Sequence, residues 1–312
     1  MAGFFTVSII QSAMELGCIY ALVALALFVS YTTLNIADLS TDGCFTLGCA
    51  VGAIVTLSGH PFLGLIAAMG AGVVSGFVTA FLQTRLGVES ILAGIIVNTA
   101  LYTINIMVMG FSSNVNIFKA DTIFSIAHDL LENIPVLSSW YKLIVVLIIV
   151  LAVGIFLALF LNTMLGLSIR ATGDNPSMVR ASSINPAFTI TAGLMLSNSF
   201  TALSGAVLAQ YQKSCDINYG TGMVTIALAS LIIGESLIGR GNMLVRILGV
   251  IFGSCLYRFF VALALRLNIP AESLKLVSAV IVAIAISLPY LKSKMALYKQ
   301  MQEAKQRHKE NK

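Results

Sequence analysis

Apolar runs of about twenty residues recur along the whole chain, separated by short polar stretches. A helix that crosses a bilayer needs roughly 20 mostly apolar residues. The pattern predicts spans at 7–30, 42–58, 62–84, 90–109, 142–163, 187–209, 223–237, 245–267 and 273–291. No stretch is long and polar enough for a second domain. The expected fold is an all-α polytopic membrane protein, a bundle of about nine transmembrane helices. Residues 1–291 would form the transmembrane domain and 292–312 a basic cytoplasmic tail.

Two polar stretches depart from the pattern. The first is Tyr31-Thr-Thr-Leu-Asn35-Ile-Ala-Asp38-Leu-Ser40-Thr-Asp42-Gly43, which lies between apolar runs and contains no basic residue. A carboxylate at membrane depth costs about 2.5–3.5 kcal/mol on insertion scales. Asp38 and Asp42 together therefore imply a hydrated cavity or dedicated partners. The segment reads as a broken or re-entrant stretch, or else as a short cytoplasmic loop.

The second stretch is Leu165-Gly-Leu-Ser-Ile-Arg170-Ala-Thr-Gly173-Asp-Asn175-Pro176-Ser-Met178-Val-Arg180-Ala-Ser-Ser-Ile-Asn185-Pro186. Asp174 and Asn175 are good helix N-caps, and Pro176 suits the first helical position. Ser177 to Ser183 can form about two turns, and Asn185-Pro186 repeats the cap signal. A short helix lying on the membrane surface between two spans is expected. Without more, this is also what an ordinary capped surface loop would show.

The composition agrees with a membrane protein. Of 312 residues, 58% are hydrophobic and 10% charged, against about 25% charged in soluble domains. No basic leader or small-residue cleavage site opens the chain, so a removed signal peptide is not expected. The five cysteines and three histidines are scattered and suggest no metal site, hydrolytic triad or disulfide framework. No cofactor and no nucleic-acid partner are expected.

Charge sets the expected orientation. The first Lys or Arg is Arg85, whereas Lys292, Lys294, Lys299, Lys305, Arg307, Lys309 and Lys312 crowd the C-terminal tail. By the positive-inside rule the tail is cytoplasmic. Nine spans then put the N-terminus outside and Arg85, Arg170, Arg180, Arg240 and Arg246 inside. The longest outer loop, 110–141, interleaves Phe118, Ile123, Phe124 and Ile126 with Asp121, His128 and Asp129. An amphipathic helix lying on the outer face is expected there.

Polar side chains within the spans add candidate chemistry. Asn98, Tyr102 and Asn105 share one helix face at i, i+4, i+7 spacing. They can hydrogen-bond a solute or hold neighbouring helices together. Ser197, Thr201 and Ser204 form a weaker stripe. Ala68, Gly72 and Gly76 form a small-residue packing ladder. Glu235 sits within reach of Arg240 or Arg246, and Arg258, deep in a span, needs a partner from another helix.

Three stretches resemble one family in the same order along the chain: the permeases of bacterial ATP-binding-cassette importers of the branched-chain amino acid and ribose type. Asn35, Asp38, Leu39, Ser40 and Gly43 fill the places of that family's Asn-x-x-x-Asp-Leu/Phe-Ser-x-Gly motif, which lies in a broken helix beside the translocation path. Arg170, Ala171, Gly173, Asn175 and Pro176 match its cytoplasmic coupling loop, although Ser183-Ile-Asn185 stands where the family has Gly-Ile-Asn. The turn around Gly234, Gly239 and Gly241 matches loosely.

The resemblance implies a permease subunit in the bacterial plasma membrane. It would work with ATPase subunits, a second permease copy and an extracellular or periplasmic binding protein that delivers a small solute. Arg170, Gly173, Asn175, Pro176, Met178 and Arg180 would couple to the ATPase. Asn35, Asp38, Ser40, Asn98, Tyr102 and Asn105 would line the path. The stretch from Ile96 to Asn105 is similar to the subgroup that handles aromatic amino acids such as tryptophan; other members carry sugars or nucleosides. The chain has no Gly-Lys dipeptide and hence no phosphate-binding loop of its own. An ion-coupled secondary transporter using Asp38, Asp42 or Glu235 and a non-transporting assembly protein are the rival readings.

Overall fold

The computed structural model describes residues 7–132, 135–238 and 241–266, with helical positions at 276, 279, 280, 283, 284, 287, 294, 295 and 298. Helix α1 (Val7–Leu27) runs on as one π-helical turn (Phe28–Thr33). It is followed by α2 (Thr41–Leu57), α3 (Pro61–Thr84), α4 (Ser90–Val108), strand β1 (Asn114–Asn116), α5 (Ile123–Leu131) and α6 (Pro135–Leu161). Then come α7 (Met164–Asp174), α8 (Pro176–Ala181), α9 (Pro186–Gln212), strand β2 (Ser214–Asp216), α10 (Met223–Ile238) and α11 (Met243–Arg266). Among the described residues six helices are long and apolar enough to cross a membrane, and α2 and α10 are shorter apolar helices. The chain is thus a polytopic helical membrane protein. Each expected span from 7–30 to 245–267 falls on a helix. The span expected at 273–291 and the tail 292–312 lie outside the described residues apart from the positions just named.

Helix α9 organises the bundle, because its small residues let other backbones reach it. Cys44 and Cys49 on α2 donate to the carbonyls of Asn198 and Gly205, and Gly48 and Gly52 lie against Ala202 and Ala206. Both numberings rise together, so α2 and α9 are parallel. On α3, Gly72 faces the carbonyl of Asn198 and Gly76 that of Leu194, so α3 runs antiparallel. The expected small-residue ladder is this seam. Ser204 and Ser197 donate to the carbonyls of Ile19 and Ala26, which makes α1 antiparallel to α9 as well. Close approach of this kind is how helices associate where lipid removes the hydrophobic drive. Helices α3, α4 and α6 keep apolar side chains such as Ile66, Ile95 and Ile148 exposed, as lipid contact demands.

These registers define two ends. One carries Pro61, whose carbonyl accepts from Gln210, together with the N-terminus of α5, where Gln210 Oε1 accepts from the Ile123 N–H. The other carries the end of α1, where Thr33 and Leu34 pack against Gly173. Arg246 belongs to this second end, since its guanidinium lies 5.0 Å from the Phe28 ring centre and pairs with Glu235. That pair resolves one of the two options the sequence left open; Arg240 lies outside the described residues.

Some elements were not anticipated. Strands β1 and β2 pair antiparallel, joining the loop after α4 to the loop after α9. Helix α7 occupies residues read as loop, so Asp174 ends a helix and does not cap one. Arg258 finds an aromatic partner where an acceptor was sought: its guanidinium lies 4.2 Å from the centre of the Tyr20 ring, a cation–π contact strengthened by desolvation. The expected amphipathic helix of the outer loop is α5, started by a capping box of Thr122 and Ser125.

Candidate translocation site

Two helices begin halfway through the molecule. Helix α2 starts at the level of Asn198, midway along α9, and runs only to the Pro61 end. Residues 34–40, non-helical, carry the chain from the Thr33 end up to that level. The second case is its mirror: β2 and residues 217–222 descend from the Pro61 end, and α10 begins at the same mid-level. Within the sequence stretch 31–43, residues 34–40 are therefore the unwound part of a crossing, flanked by the end of the π turn and the start of α2.

The two helix starts meet through Asp42. Its Oδ2 accepts from the Gly222 N–H and its Oδ1 from the Val224 N–H, both at 2.9 Å. These are orphan donors of the first turn of α10. The helix macrodipole places about half a positive charge there, so a carboxylate is stabilised. Thr46 Oγ1 accepts from the Gly220 N–H at 3.1 Å and fixes the same loop from one turn further on.

Asp38 serves α2 in a comparable way. Its Oδ1 accepts from the Ser40 N–H at 2.8 Å and from Ser40 Oγ at 2.6 Å, and Oδ2 accepts from Asn198 Nδ2 at 2.9 Å. Thr79 on α3 donates to Ser40 Oγ. A buried carboxylate needs such satisfaction to be tolerated. Asn35 is exposed on the unwound segment with φ +56°, a left-handed conformation that asparagine accepts more readily than most residues.

Beside the meeting point lies a cavity of about 160 Å3. Asn98, Tyr102 and Asn105 form its α4 wall, Asp42, Gly43 and Thr46 its α2 wall, and Ile217, Gly220 and Thr221 the descending loop. The polar stripe read from the sequence thus faces one cavity as a unit. Asp38 and Ser40 are not on its wall; they are buried toward α3 and α9, and Asp42 takes the place expected of Asp38. Asn105 Nδ2 donates to the Gly43 carbonyl at 3.0 Å, which fixes the amide so that Oδ1 is left as an acceptor. Gly43 is required for this approach: a Cβ there would stand 2.7 Å from Asn98 Oδ1. A larger groove of about 410 Å3 between α1 and α11, beside Arg258 and Arg266, holds none of the residues singled out as path-lining.

The polar hairpin at the Thr33 end has a defined geometry. Asn175 Oδ1 accepts from the N–H groups of Ser177 and Met178 and caps α8, with Pro176 at the first position. Asn185 caps α9 in the same manner. Only Val179 of α8 is buried; Met178 is 56% exposed, and Arg180 is exposed. Arg170 is half-buried on α7. Gly173 has a different part: a side chain there would collide with the Thr33 carbonyl, so this glycine joins α7 to the end of α1. Ser183, at the place of the glycine in Gly-Ile-Asn, adopts φ +62°, which explains why glycine suits that position.

Half-crossing helices that meet at a polar cavity inside an apolar bundle define a class of molecule: a multi-pass helical membrane protein with an internal polar cavity. The family described as the branched-chain amino acid transport system permease component matches residues 9–286. The chain belongs to this family, the permeases of ATP-binding-cassette importers. It is 31% identical over 274 residues to the tyrosine transport system permease protein of Clostridioides difficile, covering 88% of each chain. It is 25% identical over 298 residues to the ribose import permease protein RbsC of Escherichia coli, covering 91% of this chain and 86% of that one. The solved structure of PsaBC from Streptococcus pneumoniae in complex with Fab shares the fold, with a TM-score of 0.50 and 14% identity over 92% of this chain and 94% of that one.

Proposed function

We propose that this chain is one of two permease copies in an importer for an aromatic amino acid such as tyrosine. Two ATPase subunits dock on α7–α8, and a binding protein delivers the solute at the end carrying α5. The N-terminus is outside and the C-terminus cytoplasmic. ATP hydrolysis belongs to the partner subunits.

The observation that carries the reading is the hairpin at the Thr33 end. Helix α8 is held by its caps and the one buried side chain of Val179, so its Met178 and Arg180 are open to a partner. The adjoining α7 touches Thr33 through Gly173, where the unwound half-crossing begins. A push on the hairpin therefore reaches residues 34–40 and, through them, the cavity. The orientation is supported by Arg170, Arg180 and Arg246, which gather at this end.

The tyrosine-transport relative favours an amino acid as solute. The ribose relative keeps a sugar as the second reading, because Asn98, Tyr102 and Asn105 can also hydrogen-bond hydroxyl groups. The test is co-purification in mild detergent, with Met178→Asp beside the unaltered protein. The unaltered chain should bring down an ATPase, and M178D should lose it while keeping its fold. No ATPase with the unaltered chain, or an undiminished one with M178D, would remove the docking assignment. Uptake of labelled tyrosine against labelled ribose by cells with and without the chain separates the two solute readings.

A further inference from the structure

The cavity beside the two helix starts carries one carboxylate with no basic partner on its wall and one unmet hydrogen bond. Asp42 is the one charged side chain among the described residues that line the cavity, and no basic residue lies among them. Its carboxylate accepts from the Gly222 and Val224 N–H groups, which stabilise it through partial charges only. Asn105 is 1% exposed, and its Oδ1 has no partner although its Nδ2 is engaged with Gly43. A buried acceptor left without a partner is destabilising, so this atom calls for a donor from whatever enters.

We propose that this cavity holds the ammonium group of the solute, with Asn105 Oδ1 as its fixed acceptor and Asp42 as its counter-charge. An ammonium brings three donors and a positive charge, which answers both the open acceptor and the carboxylate of Asp42 that has no basic partner on the cavity wall. A sugar hydroxyl would answer only the first. Asp42 keeps its two backbone partners throughout, so the ammonium is held at the start of α10 without removing the cap. This assignment deepens the amino-acid reading and rests on it: it names the part of the solute the permease itself recognises.

The experiment uses Thr221→Cys as a reporter, since Thr221 is exposed on the cavity wall. The five native cysteines are all buried and can stay, with the unaltered protein measuring their background. A cationic methanethiosulfonate should label T221C faster than an anionic one by on the order of tenfold. Asp42→Asn should reduce that preference to near unity. Tyrosine, and tyramine (which keeps the amine but lacks the carboxylate), should protect T221C from labelling. The deaminated acid 3-(4-hydroxyphenyl)propionate and ribose should not. Asn105→Leu, which leaves the Asp42 cap in place, should abolish protection while preserving the cationic preference. Equal labelling by both reagents, protection by the deaminated acid, or protection by sodium ions alone overturns the proposal. If none of the solutes protects while cells still take up tyrosine, the ammonium site falls and the importer reading stands. Protection by ribose alone removes both.

Discussion

The carboxylate of Asp42 closes the first turn of a helix that begins at Met223, accepting from the N–H groups of Gly222 and Val224 at 2.9 Å each. This side chain, with Thr46 one turn on, therefore joins the two half-crossings. Asp42→Ala would strand two donors at mid-depth and should cost about 2–3 kcal/mol. Asp42→Asn keeps one acceptor and should cost about 1 kcal/mol. Thermal unfolding in detergent reads the order; an alanine variant as stable as the asparagine variant would contradict the cap.

The seam of α2 on α9 depends on Gly48. A methyl group there meets the Ala202 carbonyl directly, so Gly48→Ala should destabilise by about 1–3 kcal/mol through overpacking. Gly70 on α3 meets nothing within 4 Å. Gly70→Ala should leave stability unchanged or raise it by up to about 1 kcal/mol, the helix-propensity gain. Comparing the two unfolding midpoints checks the claim, and equal losses would refute it.

Asp38 and Asn198 should be strongly coupled. Asn198 Nδ2 donates to Asp38 Oδ2 in a buried site shared with Ser40. Asp38→Ala alone should cost about 3 kcal/mol, because Asn198 loses its acceptor. The double variant with Asn198→Ala should cost less than the sum of the single changes, with a coupling of about 1–3 kcal/mol. Additive losses would show that the two act independently.

Ser183→Gly should stabilise the protein by about 1 kcal/mol, since serine pays for a left-handed conformation that glycine adopts freely. A rise in melting temperature, with transport retained, is the expected result; no change would mean that the local conformation relaxes at no cost.

Much of this architecture is legible in the sequence, because hydropathy is local. Runs of apolar residues mark spans whatever their neighbours, and Asn98, Tyr102 and Asn105 share a face by helical spacing alone. Asn175 and Asn185 were readable as caps for the same reason. What escaped depends on residues far apart. Asp42 looked like one more costly acid, and its role needs Gly222 and Val224, some 180 positions away. Residues 217–222 fall between two expected spans and so carry no hydropathy signal, yet they descend to mid-depth, where Asp42 and Thr46 accept from Gly222 and Gly220. Gly220 and Gly222 were the available hint, since glycines permit the close approach and the φ of +86° at Gly222. Gly173 read as part of an exposed dock, but its smallness serves contact with Thr33.

The meeting of the two half-crossings has a mechanical consequence. Along this line the middle of the bundle is bridged by the hydrogen bonds of Asp42 and Thr46, where a neighbouring helix offers a continuous backbone with its own hydrogen-bonded ladder. Breaking the two charged bonds costs about 3–6 kcal/mol at 1.5–3 each and breaks no helix. Elsewhere in the bundle axial stretch is resisted by unbroken backbone. Among the described residues the bundle thus contains a compliant joint between stiff rods, and strain applied at either end concentrates there.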